Sequence, residues 1–192
     1  MPLTSPSNPP RFVRDEAGLG GVLFGLKLTP CPYCRQTGGL IGHGFLRGYA
    51  EQSSEQVARG RRVFCSNRGQ RPGCGRTFSV LLSTVLCGFV VRTVVLFSFA
   101  AAVLGGVTRR AAWLREARGA LSLSSGYRLW RRLSEAQATL RGRLCREAPP
   151  PDSPAREPLA QLLVHLRLVV GQREADPFAA LQSKLQQGLL EP

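Results

Sequence analysis

The 192 residues hold 26 Lys or Arg against 12 Asp or Glu, a formal charge of +14 with a sequence pI near 11.1. That length leaves room for one ordinary domain or two small ones, and the charge directs attention away from cationic partners and toward a polyanion: nucleic acid first, an anionic membrane surface second. The charge is segregated: residues 1–80 carry 11 basic and 4 acidic groups, 81–148 carry 11 and 3, and 149–192 carry 4 and 5, so the tail has no basic excess. Lys27 and Lys184 are the only lysines. Arginine forks onto phosphate and guanine more specifically than lysine does, but a G·C-rich genome produces the same bias, so the placement of the arginines carries the argument and not their excess over lysine.

Residues 1–17, rich in proline and polar side chains, are predicted to be disordered. The apolar, glycine-broken run 19–28 is predicted as a first strand, followed by strands over 39–49 and 61–64 and a polar loop over 50–58. Between and after these strands lie two cysteine pairs. Cys31-Pro32-Tyr33-Cys34 has the spacing of a zinc knuckle, with Pro32 fixing one backbone torsion of the turn. Cys65 and Cys74 are separated by eight residues instead of two, but that insert, 66–73, is rich in turn formers and can fold out while returning Cys74 to the metal. The alternatives for these cysteines are a disulfide pair or four unrelated thiols. No signal peptide precedes them, the expected compartment is a reducing cytoplasm, and there the spacing favours one Zn²⁺ held by four thiolates over 18–80. Four sulfurs close the metal to water, so this zinc is structural. His43 is a further candidate ligand, Cys87 reads as a small core hydrophobe, and Cys145 ends an arginine-rich helix.

Arg59, Arg61, Arg62, Arg68, Arg71 and Arg76 crowd the second half of the ribbon with no acid among them. Six cations so placed repel one another unless an anion meets them, although a solvated face is the plain alternative. The run 80–104 is long and apolar enough to be weighed as a membrane span, but Arg92 lies at its middle, where a charge costs about 2.5 to 3.5 kcal/mol. A buried helix over 89–104, stopped by Gly105-Gly106, is therefore expected.

Thr108 is placed to cap a helix over 109–118 ended by Gly119, and a turn over 120–125 leads to a longer helix over 126–146. In the latter Leu129, Leu133, Ala136, Leu140 and Leu144 form one stripe, with Tyr127, Arg128 and Arg131 opposite and Trp130 and Arg132 flanking. With Arg109 and Arg110 from the first helix, this is the arrangement that sets a recognition helix in the major groove; an ordinary amphipathic helix hairpin with solvated arginines is the plain alternative, and the neighbouring basic ribbon weighs against it. A proline-rich linker, 148–158, precedes an amphipathic tail over 159–192. There one helix covers 159–170, and Asp176 caps another whose face is Phe178, Leu181, Leu185 and Leu189. That tail suits homodimer formation, a partner protein, or docking back on the body.

Taken together, Cys31-Pro32-Tyr33-Cys34, Gly42-His43-Gly44, Arg61-Arg62-Val63-Phe64-Cys65 and Cys74-Gly75-Arg76-Thr77-Phe78, followed by paired helices, resemble the N-terminal DNA-binding part of bacterial insertion-sequence transposases. The resemblance covers residues 28–146 and implies a zinc ribbon followed by a helix-turn-helix that binds double-stranded DNA, with Cys31, Cys34, Cys65 and Cys74 as ligands. It departs from that family in its long second knuckle and in lacking a nuclease domain. Three carboxylates converging on two metals are needed for that chemistry, and the acids after Phe78 fall in helical or linker stretches. The expected protein is α+β and not an enzyme: ribbon, helical domain over 81–147, linker and tail. A zinc-stabilised protein-interaction adaptor and a small membrane protein are the alternatives.

Overall fold

A computed structural model describes residues 9–49, 56–118 and 121–190. Among these residues the protein is α+β, with a four-stranded sheet and six α-helices. The described residues divide into two compact units, 9–48 with 56–83, and Tyr49 with 84–118 and 121–190.

In the first unit the chain order is β1 (Phe12–Val13), α1 (Glu16–Gly25), β2 (Leu40–Tyr49), β3 (Gln56–Cys65) and β4 (Thr77–Leu82), and the sheet order is β1-β4-β3-β2. β3 and β4 are antiparallel, with Val63 opposite Phe78. β1 joins β4 in parallel, with Phe12 opposite Leu81 and Val13 opposite Leu82. This corrects the expected disorder of 9–17: Phe12 and Val13 are buried apolar residues that find a sheet edge. Residues 1–8 lie outside the described residues.

The run expected as a first strand is α1. Its apolar residues do not alternate, and Asp15 supplies a cap instead, its Oδ1 accepting from Gly18 N–H at 2.7 Å, with Glu16 in the first turn complementing the helix dipole. The loop expected over 50–58 ends early, because Gln56, Val57 and Ala58 already belong to β3; 50–55 lie outside the described residues. Leu19, Leu26, Leu40, Val63 and Val80 form a small core with Cys31 and Cys65. So modest a core leaves a large share of the stability to whatever the cysteines bind.

The second unit contains α2 (Thr93–Leu104), α3 (Arg109–Glu116), α4 (Leu123–Cys145), α5 (Pro158–Val170) and α6 (Pro177–Leu185). The stretch considered as a membrane span is instead the end of β4, a turn-rich connection bridged at Val85 and Arg92, and the 12-residue α2. No helix among the described residues is long and apolar enough to cross a membrane. Apolar nearly all round, α2 is a core helix. Its Phe99 meets the rings of Trp113 on α3 and Trp130 on α4 edge-on at 5.2 and 5.9 Å, and its Phe97 meets Phe178 on α6 at 5.4 Å. Arg92, at the N-cap, stays in solvent.

Thr108 caps α3 as the sequence indicates, its Oγ1 accepting from Ala111 N–H at 3.3 Å, while the expected stop at Gly119 lies outside the described residues. The long helix starts at Leu123, three residues before the expected Gly126, with Ser122 at its N-cap. Leu129, Leu133, Leu140 and Leu144 are buried as the stripe requires. Trp130, expected to flank the exposed side, is buried: its ring lies against Phe99, and a tryptophan ring removes more apolar area from water than its helical position alone discloses.

The tail is not a separate segment. Leu159, Leu162 and Leu166 of α5 and Phe178 and Leu181 of α6 share one core with α2 and α4. The proline-rich connection is fastened to α5, with His165 Nε2 donating to the Ala148 carbonyl at 3.0 Å and Gln161 Nε2 to that of Ala155 at 2.9 Å.

Candidate metal centre and basic helical face

The first knuckle follows Pro30 and turns tightly, Arg35 N–H bonding the Cys31 carbonyl at 2.9 Å and Cys31 N–H bonding that of Gln36 at 2.9 Å, with Arg35 in the left-handed region at φ 63°. The second is delivered by the end of β3. Cys65 N–H bonds the Arg76 carbonyl at 2.8 Å and Gly75 N–H that of Cys65 at 2.9 Å, which pins the two ends of the insert together. The insert folds outward, with Asn67, Arg68, Gln70 and Arg71 exposed. Gly73 makes this closure possible: a Cβ there would fall 2.1 Å from the Ser66 carbonyl oxygen, so only glycine lets the returning strand reach the metal side.

The four sulfurs converge, all within 4.8 Å of one another. Cys31 and Cys74 Sγ are 3.8 Å apart and those of Cys34 and Cys65 3.7 Å. A disulfide would bring them to about 2 Å. A regular tetrahedron of thiolates with metal–sulfur bonds of about 2.3 Å has vertices about 3.8 Å apart, so the donor set fits a single tetrahedral ion. Backbone N–H groups support two of the sulfurs, Tyr33 N–H reaching Cys31 Sγ at 3.4 Å and Cys74 N–H reaching Cys65 Sγ at 3.3 Å, contacts that stabilise thiolate charge. Cys31 and Cys65 are buried and Cys34 and Cys74 partly so. Burial pushes the Cys65 thiol up to about 12. In the absence of a cation this thiol holds its proton, so metal binding must displace it.

His43 lies exposed on β2, its ring 5.6 Å from that of Phe64, and is not a member of the sulfur cluster. Cys87 and Cys145 are likewise outside the cluster, Cys145 exposed at the end of α4.

Neither a known family model, nor a curated protein, nor a solved structure matches the chain.

The arginines fall into two groups. Arg59, Arg61 and Arg62 lie on β3, Arg68 and Arg71 on the insert, and Arg76 just before β4, where its guanidinium carbon is 5.3 Å from the Tyr33 ring. The other group belongs to the helical unit. There Trp113 of α3 packs under the start of α4 so closely that a Cβ at Gly126 would come within 2.6 Å of its Cγ, and its Nε1 donates to the Ser122 carbonyl at 3.0 Å. This joint leaves Tyr127, Arg128, Arg131 and Arg132 exposed on the first turns of α4, and Arg109 and Arg110 exposed at the start of α3. Arg109 stacks on the Trp130 ring at 5.0 Å, Arg128 on that of Phe89 at 5.6 Å, and Arg131 approaches Glu135 at 3.5 Å.

Sequence reasoning missed a contact on the sheet. Arg61 does not stand free on β3: its guanidinium carbon lies 3.8 Å from the centroid of Phe45 on β2. The signal available was Phe45 itself, a large aromatic in a strand otherwise rich in glycine.

Proposed function

We propose that the protein binds double-stranded DNA, that Zn²⁺ held by Cys31, Cys34, Cys65 and Cys74 maintains the fold of its first unit, and that α3 and α4 act as a helix-turn-helix. On this reading the chain is related to the DNA-binding part of a transposase. The observation that carries it is the sidedness of the helical pair. One side of α4 packs Leu129, Leu133, Leu140 and Leu144 into the core, while Tyr127, Arg128, Arg131 and Arg132 remain in solvent beside Arg109 and Arg110, with Glu135 the one acid paired to them among the described residues. Phosphate neutralisation by such a face is the electrostatic part of duplex binding, and the first turns of α4 supply side chains for base edges. Zinc is the ion that four thiolates at tetrahedral spacing suit, and a closed site gives it a folding role.

The test is binding of the purified protein to duplex DNA across a salt series, with and without a zinc chelator. Tight binding that falls steeply with salt and weakens on chelation supports the proposal. Weak binding indifferent to zinc overturns it in favour of a zinc-stabilised protein-interaction adaptor, the reading that Phe24 and Leu28, 94% and 85% exposed, would favour.

A further inference from the structure

On the sheet of the first unit, β3 lays two arginines across the glycines of β2. A Cβ at Gly48 would fall 2.6 Å from Cδ of Arg59, and one at Gly42 would fall 3.5 Å from a terminal guanidinium nitrogen of Arg61. Glycine at these two places gives the arginine stems room to lie along the strand. Phe45 lies between them on β2, 58% exposed, with the guanidinium carbons of Arg61 and Arg47 at 3.8 and 5.6 Å from its ring centroid. Beside it, the site where Gly44 would carry a Cβ has nothing within 4 Å. β2 and β3 together contain four arginines and no acid. The Nε of Arg61 is buried and makes no hydrogen bond among the described residues.

A cation stacked on an aromatic ring gains about 0.5 to 1 kcal/mol in solvent and about 2 kcal/mol or more when the pair is desolvated, so the stack alone gives no reason to leave the ring in water. Leaving more than half of Phe45 in water, on strands that carry four arginines and no acid, instead presents ring surface where phosphates are attracted. The faces of bases in a duplex are hidden in the stack, whereas unpaired bases offer theirs to aromatic side chains on an open sheet.

We infer that this strip is a stacking site for unpaired bases of single-stranded nucleic acid, with a base on the exposed ring of Phe45 and with Arg47 and Arg61 meeting the neighbouring phosphates. The inference rests on the nucleic-acid reading above and adds a second substrate form to it. A protein that holds a duplex through one unit and a displaced strand through the other is suited to DNA that is locally opened.

The experiment uses the full-length, zinc-loaded protein and three labelled probes: a thymidine strand of about 12 nucleotides, an abasic strand of the same length, and a duplex. The thymidine strand should bind more tightly than the abasic one, which has the same phosphates and no bases. Phe45→Leu should lower affinity for the thymidine strand by about 5- to 150-fold toward the abasic level, leaving duplex affinity and zinc content unchanged, and Phe45→Trp should retain tight binding. Equal affinity for the thymidine and abasic strands, or an unaffected Phe45→Leu variant, overturns the stacking site while duplex binding stands. Failure to bind any of the three probes overturns the duplex proposal with it.

Discussion

The Thr93 hydroxyl donates a 2.6 Å hydrogen bond to Oδ2 of Asp176, a residue 83 positions further along the chain. The other carboxylate oxygen accepts from Ala179 N–H at 3.0 Å, so one side chain both caps α6 and ties it to the N-terminus of α2. Thr93 is 0% exposed and has no water to turn to. Asp176→Ala should therefore cost about 1 kcal/mol for the cap and a further 1 to 3 kcal/mol for the stranded hydroxyl, read as a lower denaturant midpoint of the helical unit. Thr93→Val in the same chain should recover part of that loss.

The same carboxyl gives a pH dependence. Burial raises it above its ordinary 3.8, against the lowering effect of the Thr93 bond. The folded state then keeps this proton to higher pH than the unfolded chain does, so the contribution of Asp176 is most favourable below its ordinary range, declines as pH climbs through the folded value, and stays at the lower level above it. Asp176→Asn can accept from Ala179 and donate to Thr93, and it should flatten that decline. Midpoints measured for both proteins between mildly acidic and neutral pH test this, and parallel curves would refute it.

Removing one sulfur should unfold the ribbon. A structural zinc site contributes about 10 to 16 kcal/mol of apparent binding free energy, more than a core as small as that around Val63 and Val80 can replace. Cys31→Ser should lose the metal and the first unit's amide-exchange protection, while Cys145→Ser, outside the cluster, should leave both intact. Because the Cys65 thiol is pushed up to about 12 by burial, protons compete with the metal, and zinc retention should fall as pH is lowered. Elemental analysis after dialysis at two pH values measures it.

Changing Arg128, Arg131 and Arg132 together to Ala should weaken duplex binding and reduce the slope of log affinity against log salt by up to about 3, one for each phosphate left without its arginine. Circular dichroism should show α4 unchanged, since all three side chains are exposed. An unaltered slope would move the duplex interface onto the ribbon arginines.

Gly126→Ala sets two effects against each other. Alanine favours the helix by about 1 kcal/mol, but its methyl would sit 2.6 Å from Cγ of Trp113, a ring held by its bond to Ser122 and its edge-on contact with Phe99. The ring cannot yield without giving up one of them, so the variant should be destabilised by about 1 to 3 kcal/mol. A thermal melt decides the sign.

The sulfur cluster was legible in the sequence because thiolate ligation restricts residue type and spacing, and turn formers at 66–73 announce an insert whatever its length. The Asp176 cap and the α4 stripe were legible for a similar reason: each depends on residues within a turn or two. What escaped depended on distant partners. Phe12 and Val13 form a strand only because β4 offers an edge. The run around Leu23 is short, apolar and rich in glycine, ambiguous between strand and helix until the Asp15 cap decides it. Trp130 looked flanking on a helical wheel, which has no place for Phe99 of α2. The Phe45 and Arg61 stack pairs two strands across a connection whose register the sequence does not state.

Gln182 is buried between the two ends of the helical unit, its Nε2 donating to the Val85 carbonyl at 3.0 Å and its Oε1 accepting from Leu189 N–H at 2.9 Å. During synthesis, then, the first unit, whose residues end at Ser83, can fold while the rest of the chain is still being made. The helical unit cannot complete this anchor until Leu189 has left the ribosome. In that interval the apolar sides of α2 and α4 stand uncovered, the state most prone to aggregation, and a transcript broken after α4 would yield a product that keeps the four cysteines and precipitates.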